Sequence, residues 1–148
     1  MNKLGFLVND LGLSQLTCDL IKNCNRILVE NQEIDIIIFY QEIAKCPALC
    51  SFATMQMSEA YGFDGDLVAT SLETAELLLS FPNPNKKFFY VWDLEWIRKP
   101  IKPFISMQRI YGNPKLNLIA RSEDHRKIIE SCWNRKVKAV IEDCKWLV

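Results

Sequence analysis

The sequence predicts one three-layer, Rossmann-like α/β domain spanning residues 1–148, with a mostly parallel sheet of five to six strands. Three observations carry this expectation. Short apolar runs alternate with helical stretches of three- and four-residue spacing along most of the chain. The run "IDIIIFY" at 34–40 is continuously β-branched and aromatic, the pattern of a strand covered on both faces. No repeat, low-complexity tract or linker interrupts the 148 residues, a length that suits one core.

Leu4 to Val8 reads as a strand stopped by Asn9-Asp10. Leu13, Leu16, Leu20, Ile21, Cys24, Ile27 and Leu28 then mark one face of a helix, and Ile34 to Tyr40 completes a βαβ unit. Between residues 45 and 65 the pattern is weak: Leu49–Ala53 reads as a short strand and Met55–Tyr61 as a short helix ending near Gly62. Beyond it, 66–70 reads as strand, 71–81 as helix, 82–85 as loop and 87–93 as strand. Two prolines make 98–103 irregular, and Phe104–Tyr111 is a short helix ended by Gly112-Asn-Pro. A strand at 115–121, a helix at 122–133 and a last strand at 136–142 follow. The apolar tail Trp146-Leu147-Val148 is expected to fold back onto its own sheet, with a neighbouring chain as the alternative cover.

Eighteen basic residues balance eighteen acidic ones. With no net field, neither nucleic acid nor an anionic membrane surface is an expected partner unless a local patch supplies the charge. The apolar stretch Leu4–Val8 is too short for a signal peptide or a membrane span, so the expected location is cytoplasmic. The six cysteines are then expected as reduced thiols, most of them small core residues. Cys46-Pro-Ala-Leu-Cys50 lacks the two-residue gap of a redox pair, and with His125 the only histidine there is no metal-ligand set.

In an open parallel sheet, ligands bind outside the carboxyl ends of the strands, where loops and helix N-termini converge. The predicted strand ends carry Asn9, Asp10, Thr70, Ser71, Asp93, Glu95, Arg121 and Ser122, with His125 one turn into the last helix. Each has a plainer reading. Thr70, Ser71 and Ser122 suit helix caps, Thr70 with Glu73 as a capping box. Asp93 and Glu95 cap no evident helix, which leaves a site role or loop salt bridges to Arg98 or Lys99. Arg121 suits either a phosphate or carboxylate grip or a pair with Asp93 or Glu95. His125 suits a general acid or base, or a hydrogen-bonded spectator. Trp96, just beyond its strand, reads as core or as a docking residue.

No G-x-G-x-x-G, Walker lysine loop or G-x-S-x-G elbow is present. The first turn, "VNDLGLSQ", has one glycine, and its Asp10 would repel a phosphate. No nicotinamide or other cofactor is expected.

Three stretches in order resemble the N-terminal half of GT-B-type glycosyltransferases. "DLVATSLETAELL" is similar to the strand that runs into a Thr/Ser-capped helix, "FFYVWDLEW" to the next strand with its acidic D-x-E ending, and "LNLIARSEDHRKIIESCWNRKVKAVIED" to the strand and helix leading into the last strand. The resemblance covers about residues 66–143. It implies an acceptor-side domain with a sugar, nucleotide-sugar or acceptor near Asp93, Glu95, Arg121 and Ser122. It also implies that the donor-binding half lies outside this sequence, to be supplied by a partner chain or a second copy, or that a degenerate fold serves as a non-catalytic interaction protein. The small, Asn-, Ile- and Lys-rich chain also looks like reduced glycosyltransferase-like proteins of bacteriophages, which would place it in host cytoplasm.

Overall fold

A computed structural model describes residues 2–43, 45–98 and 103–146; Lys99, Leu147 and Val148 of the sequence reading lie outside them. The elements run β1 (Asn2–Leu11), α1 (Gln15–Glu30), β2 (Ile34–Ile43), β3 (Ala53–Gln56), a 3₁₀ turn (Met57–Gly62), β4 (Asp66–Ala69), α2 (Leu72–Ser80), β5 (Lys87–Val91), α3 (Glu95–Arg98), α4 (Phe104–Tyr111), β6 (Leu116–Ala120), α5 (Glu123–Trp133), β7 (Ala139–Val140) and a 3₁₀ turn (Glu142–Cys144). The strands form one sheet in the order β3-β2-β1-β4-β5-β6-β7, and every pairing is parallel. The α/β class is therefore as predicted, with seven strands among the described residues rather than five to six.

The two outermost strands are short: β3 and β7 have four and two residues, so the sequence pattern located them but not their bounds. The predicted strand at 49–53 is displaced to 53–56, and the helix at 55–61 is a 3₁₀ turn over 57–62. The run 136–142 contributes only β7, although Lys138 N and Ile141 N donate to the Leu118 and Ala120 carbonyls, both at 2.8 Å, and extend its pairing. β1 does not stop at Asn9-Asp10 but continues to Leu11, because Asp10 and Leu11 still pair with Glu42 and Ile43.

Alternation along the strands feeds two cores. Phe6, Val8, Ile36, Ile38, Val68, Tyr90 and Ile119 face α1 and the C-terminal segment; Leu7, Ile37, Phe39, Leu67, Ala69, Phe89, Val91, Leu118 and Ala120 face α2, α4 and α5. Gly5 lies beside Leu67 on the second face, where a β-carbon would collide with the Leu67 side chain.

Cysteines are less central than expected. All six are free, but only Cys24 and Cys144 are buried, while Cys18 and Cys132 are exposed. Cys18 falls out of phase with the buried stripe Thr17, Leu20, Ile21, Cys24 and Ile27 of α1.

The C-terminal segment folds back as expected, at least to Trp146. Asp143 and Cys144 take left-handed backbone angles, φ 47° and 56°, which non-glycine residues adopt at a cost. The reversal is clamped on both sides. The Tyr90 hydroxyl donates to the Ile141 carbonyl at 2.6 Å and accepts from Cys144 N at 3.3 Å, while Asn23 Nδ2 donates to the Asp143 carbonyl at 2.8 Å. Trp146 is thereby set edge-on against Phe6, Phe88 and Tyr90, with ring centroids 5.7, 5.8 and 6.1 Å away. Trp146→Ala should lower stability by about 3 kcal/mol. The fall in melting temperature should be the same at every protein concentration, whereas a loss confined to high concentration would assign Trp146 to a contact between chains.

Candidate functional site

Strand order reverses about β1, whose neighbours are β2 on one side and β4 on the other. The carboxyl ends of β1 and β4 therefore mark the switch point, the place where open parallel sheets take their ligands. Side chains from both ends tie this crevice together. Asn9 Nδ2 donates to Ser71 Oγ at 3.1 Å, and Thr70 Oγ1 donates to the Leu7 carbonyl at 2.8 Å. Asn9 Oδ1 is buried with no hydrogen-bond partner among the described residues.

The capping box at α2 is shifted by one residue from its predicted place. Ser71, not Thr70, is the N-cap, and its partner is Thr74, not Glu73: Ser71 Oγ accepts from Thr74 N at 3.1 Å, and Thr74 Oγ1 accepts from Ser71 N at 3.0 Å. Thr70 is instead a buried link between β4 and β1. Glu73 is exposed and takes no part in the box.

Glu95 also corrects its sequence reading. It opens the short α3 and caps a helix remote in sequence, its Oε1 accepting from Leu72 N at 2.9 Å. A carboxylate thus already occupies the positive N-terminus of α2, where a phosphate would otherwise sit. At the neighbouring turn Asp10 lies against Gly12, and Ser14 caps α1 by accepting from Thr17 N at 3.1 Å. Both helix N-termini at the crevice carry their own oxygen acceptors.

The remaining predicted residues gather at the ends of β5 and β6. Arg121 stacks its guanidinium over Trp92, 3.9 Å from the ring centroid, and makes a long contact of 3.5 Å to the Trp92 carbonyl. It forms no ion pair with Asp93 or Glu95 among the described residues. Cation–π contact in such a half-buried setting contributes about 1 kcal/mol. Trp92, a core aromatic that immediately precedes the acidic pair, supplies the surface on which Arg121 rests. Asp93 is exposed beside it.

Ser122 is the N-cap of α5, accepting from His125 N at 3.1 Å, with Glu123 and Asp124 in the first turn. Burial, then the Arg121 guanidinium, holds the imidazole of His125 below the usual histidine value, against the opposing pull of Asp93, a hydrogen bond to the Val91 backbone, and Asp124. His125 Nδ1 is sealed from solvent with no hydrogen-bond partner among the described residues. The imidazole thus sits at the β5–β6 end, between the influences of Arg121 and Asp93.

Two other clefts carry distinct chemistry. At the opposite, amino edge of the sheet a polar cleft of about 790 Å³ runs between Lys3, Asp64, Asp66, Lys86 and Trp146. Beside α3 and α4 an apolar cleft of about 410 Å³ is lined by Trp96, Phe104, Met107, Cys132 and Trp133. There Trp133 is sandwiched between Phe104 and Tyr111, with centroids at 5.6 and 4.7 Å, and Trp96 packs edge-on against Tyr111 and Trp133. Trp96 is thus half-buried in an aromatic cluster that local spacing did not reveal.

Among the described residues no group of three or more His, Cys, Asp or Glu side chains is placed to hold a metal ion, and no helix is long and apolar enough to cross a membrane.

Two outcomes follow from this geometry. Glu95→Ala should uncap α2 and cost at least about 1 kcal/mol of stability, measured by denaturant unfolding. The depressed folded-state value of His125 makes the unfolded chain bind its proton first, so the contribution of the neutral ring is complete above about pH 6.5 and is lost as pH falls through the folded value. His125→Asn should therefore flatten the acid side of a melting-temperature profile between about pH 7 and 5.

No family model, no curated protein and no solved structure matches the chain.

Proposed function

We propose that the protein is a glycosyltransferase-related domain whose β1–β4 crevice takes a neutral, hydroxyl-rich sugar or glycan acceptor. One observation carries the choice of ligand: the carboxyl edge of the sheet, from the crevice to the end of β5, bears carboxylates and already-capped helix ends. Glu95 occupies the N-terminus of α2, Asp10 lies at the turn before α1, and Asp93 stands exposed at the end of β5. Such a rim repels a nucleotide's phosphates and offers acceptors to sugar hydroxyls. Trp92 with Arg121 stacked on it adds an apolar and cationic flank. The order of the three motifs from residue 66 onward supports the acceptor-side reading, and the all-parallel sheet with its switch point beside β1 accords with it.

Calorimetric titration with a panel of neutral oligosaccharides and, separately, nucleotide-sugars tests this. A neutral glycan should bind, with affinity falling about tenfold in Asp93→Asn, a loss of about 1.4 kcal/mol, and no change in melting temperature. Binding confined to nucleotide-sugars would reverse the ligand assignment, and binding of neither class would end the carbohydrate reading.

A second reading, a non-catalytic interaction protein, is favoured by one different feature. Ile97, Phe104 and Ile105 are 59%, 62% and 64% exposed on the adjoining elements α3 and α4, beside the apolar cleft. On that reading two copies of the chain meet through α4. Mass measurement at rising concentration should then show a dimer that Phe104→Asp abolishes, and a monomer throughout would argue against it.

A further inference from the structure

The connection between β2 and β3 brings together two thiols whose spacing in the sequence lies outside the two-residue redox pattern. Cys46 and Cys50 bracket Pro47-Ala48-Leu49, and both sulphurs turn onto one acceptor. Cys46 Sγ donates to the Ala48 carbonyl at 3.2 Å, and Cys50 Sγ approaches the same oxygen at 3.9 Å. Burial, then the proximity of Cys46, pushes the Cys50 thiol up to about 11.

Their loop is held in this shape from α1. Asn25 Nδ2 donates to the Leu49 carbonyl and Asn25 Oδ1 accepts from Ser51 N, both at 2.9 Å, so one side chain grips the backbone on either side of Cys50. Both cysteines pack against the α1-side core yet stay half-exposed, within reach of a small solute. The fold thus supplies what the spacing does not: convergence of two sulphurs on a clamped, accessible loop.

We propose that Cys46 and Cys50 are a reversible dithiol–disulfide pair, oxidised by exchange with a low-molecular-weight disulfide such as glutathione disulfide. Cys46, deprotonated by solvent, attacks one sulphur of the small disulfide, breaking its S–S bond and releasing one small thiolate. Cys50, deprotonated in turn, attacks the Cys46 sulphur of the mixed disulfide and releases the second. One protein S–S bond forms and one small-molecule S–S bond breaks. Two electrons pass from the protein to the small disulfide, and the two protons end on the released thiols. Cys46 attacks first because its neighbour is the thiol held protonated. The proposal is independent of the carbohydrate reading.

The test uses the full chain in buffers of graded reduced and oxidised glutathione, trapped by alkylation and mapped by mass spectrometry. The tryptic fragment 46–86 contains Cys46 and Cys50 and no other cysteine. It should lose two hydrogens and resist alkylation while the exposed Cys18 does not, and a dithiol reductant should restore both thiols. Cys50→Ser should instead trap glutathione on Cys46. In urea, ring closure should need a glutathione ratio at least about tenfold more oxidising. Separate glutathione adducts on both residues of the native wild type, alkylation equal to that of Cys18, or closure at the same ratio in urea would each overturn the proposal.

Discussion

The position of β1 is the constraint on which the rest of the molecule depends. It is hydrogen-bonded to parallel neighbours on both edges and buried on both faces, with Phe6, Leu7 and Val8 all inaccessible. A strand so enclosed has no polar exit along its length, and its first opportunity to meet solvent with side-chain polarity is its carboxyl end. Because strand order reverses there, the opening appears between β1 and β4, and Asn9, Thr70 and Ser71 are the residues that must manage it. Thr70 satisfies a β1 carbonyl and Asn9 bridges to the cap of α2, so the bonds that seal the sheet also shape the crevice. Stability and site geometry at this edge are therefore one problem, solved by the same side chains.

The choice of acids at that edge decides what chemistry it accommodates. A parallel sheet presents the N-termini of its crossover helices at the carboxyl edge, and bare N-termini attract anions. Here Ser14, Ser71 and Ser122 cap their own helices, Glu95 reaches across from another loop to α2, and Glu123 and Asp124 fill the first turn of α5. The helix field is largely consumed internally. Arg121 runs against this pattern, but it rests on the face of Trp92 and sets the surroundings of His125, with no ion pair among the described residues. An edge built this way suits donors of hydrogen bonds more than bearers of negative charge.

Legibility in the sequence tracked the range of the interaction concerned. The helix at 122–133 and its cap could be read directly, because capping and the three-to-four spacing are settled within one turn. The run at 34–40 declared itself as a doubly covered strand for the same reason. Ser71 was legible as a cap, but the capping box was assigned one residue early, since Thr70, Ser71 and Thr74 are chemically alike and only the backbone angle at Ser71 separates cap from strand. Glu95 was misread for a deeper reason. Its partner, Leu72 N, is brought near by the parallel pairing of β4 with β5, and no local pattern encodes that meeting. The same holds for Arg121 on Trp92, and for the aromatic packing of Trp96, Tyr111 and Trp133, which joins three separate elements.

The C-terminal segment shows how such long-range meetings are made specific. α1 covers β1 and β2 on its side of the sheet, but β5 and β6 also present Phe88, Tyr90 and Ile119 there, and no described helix after β7 lies over them. A two-residue β7 gives little pairing to hold the chain in place. The fold uses polar clamps in its stead: Tyr90 reaches from the middle of β5 to Ile141 and Cys144, and Asn23 reaches from α1 to Asp143. Two consecutive left-handed residues then turn the chain so that Trp146 lands on the uncovered strands. Burial of the indole offsets the backbone strain of the turn, and the hydroxyl and amide direct it, since apolar burial alone is non-directional. One tryptophan and two buried polar groups thereby cover a stretch of sheet for which a crossover helix would ordinarily be needed.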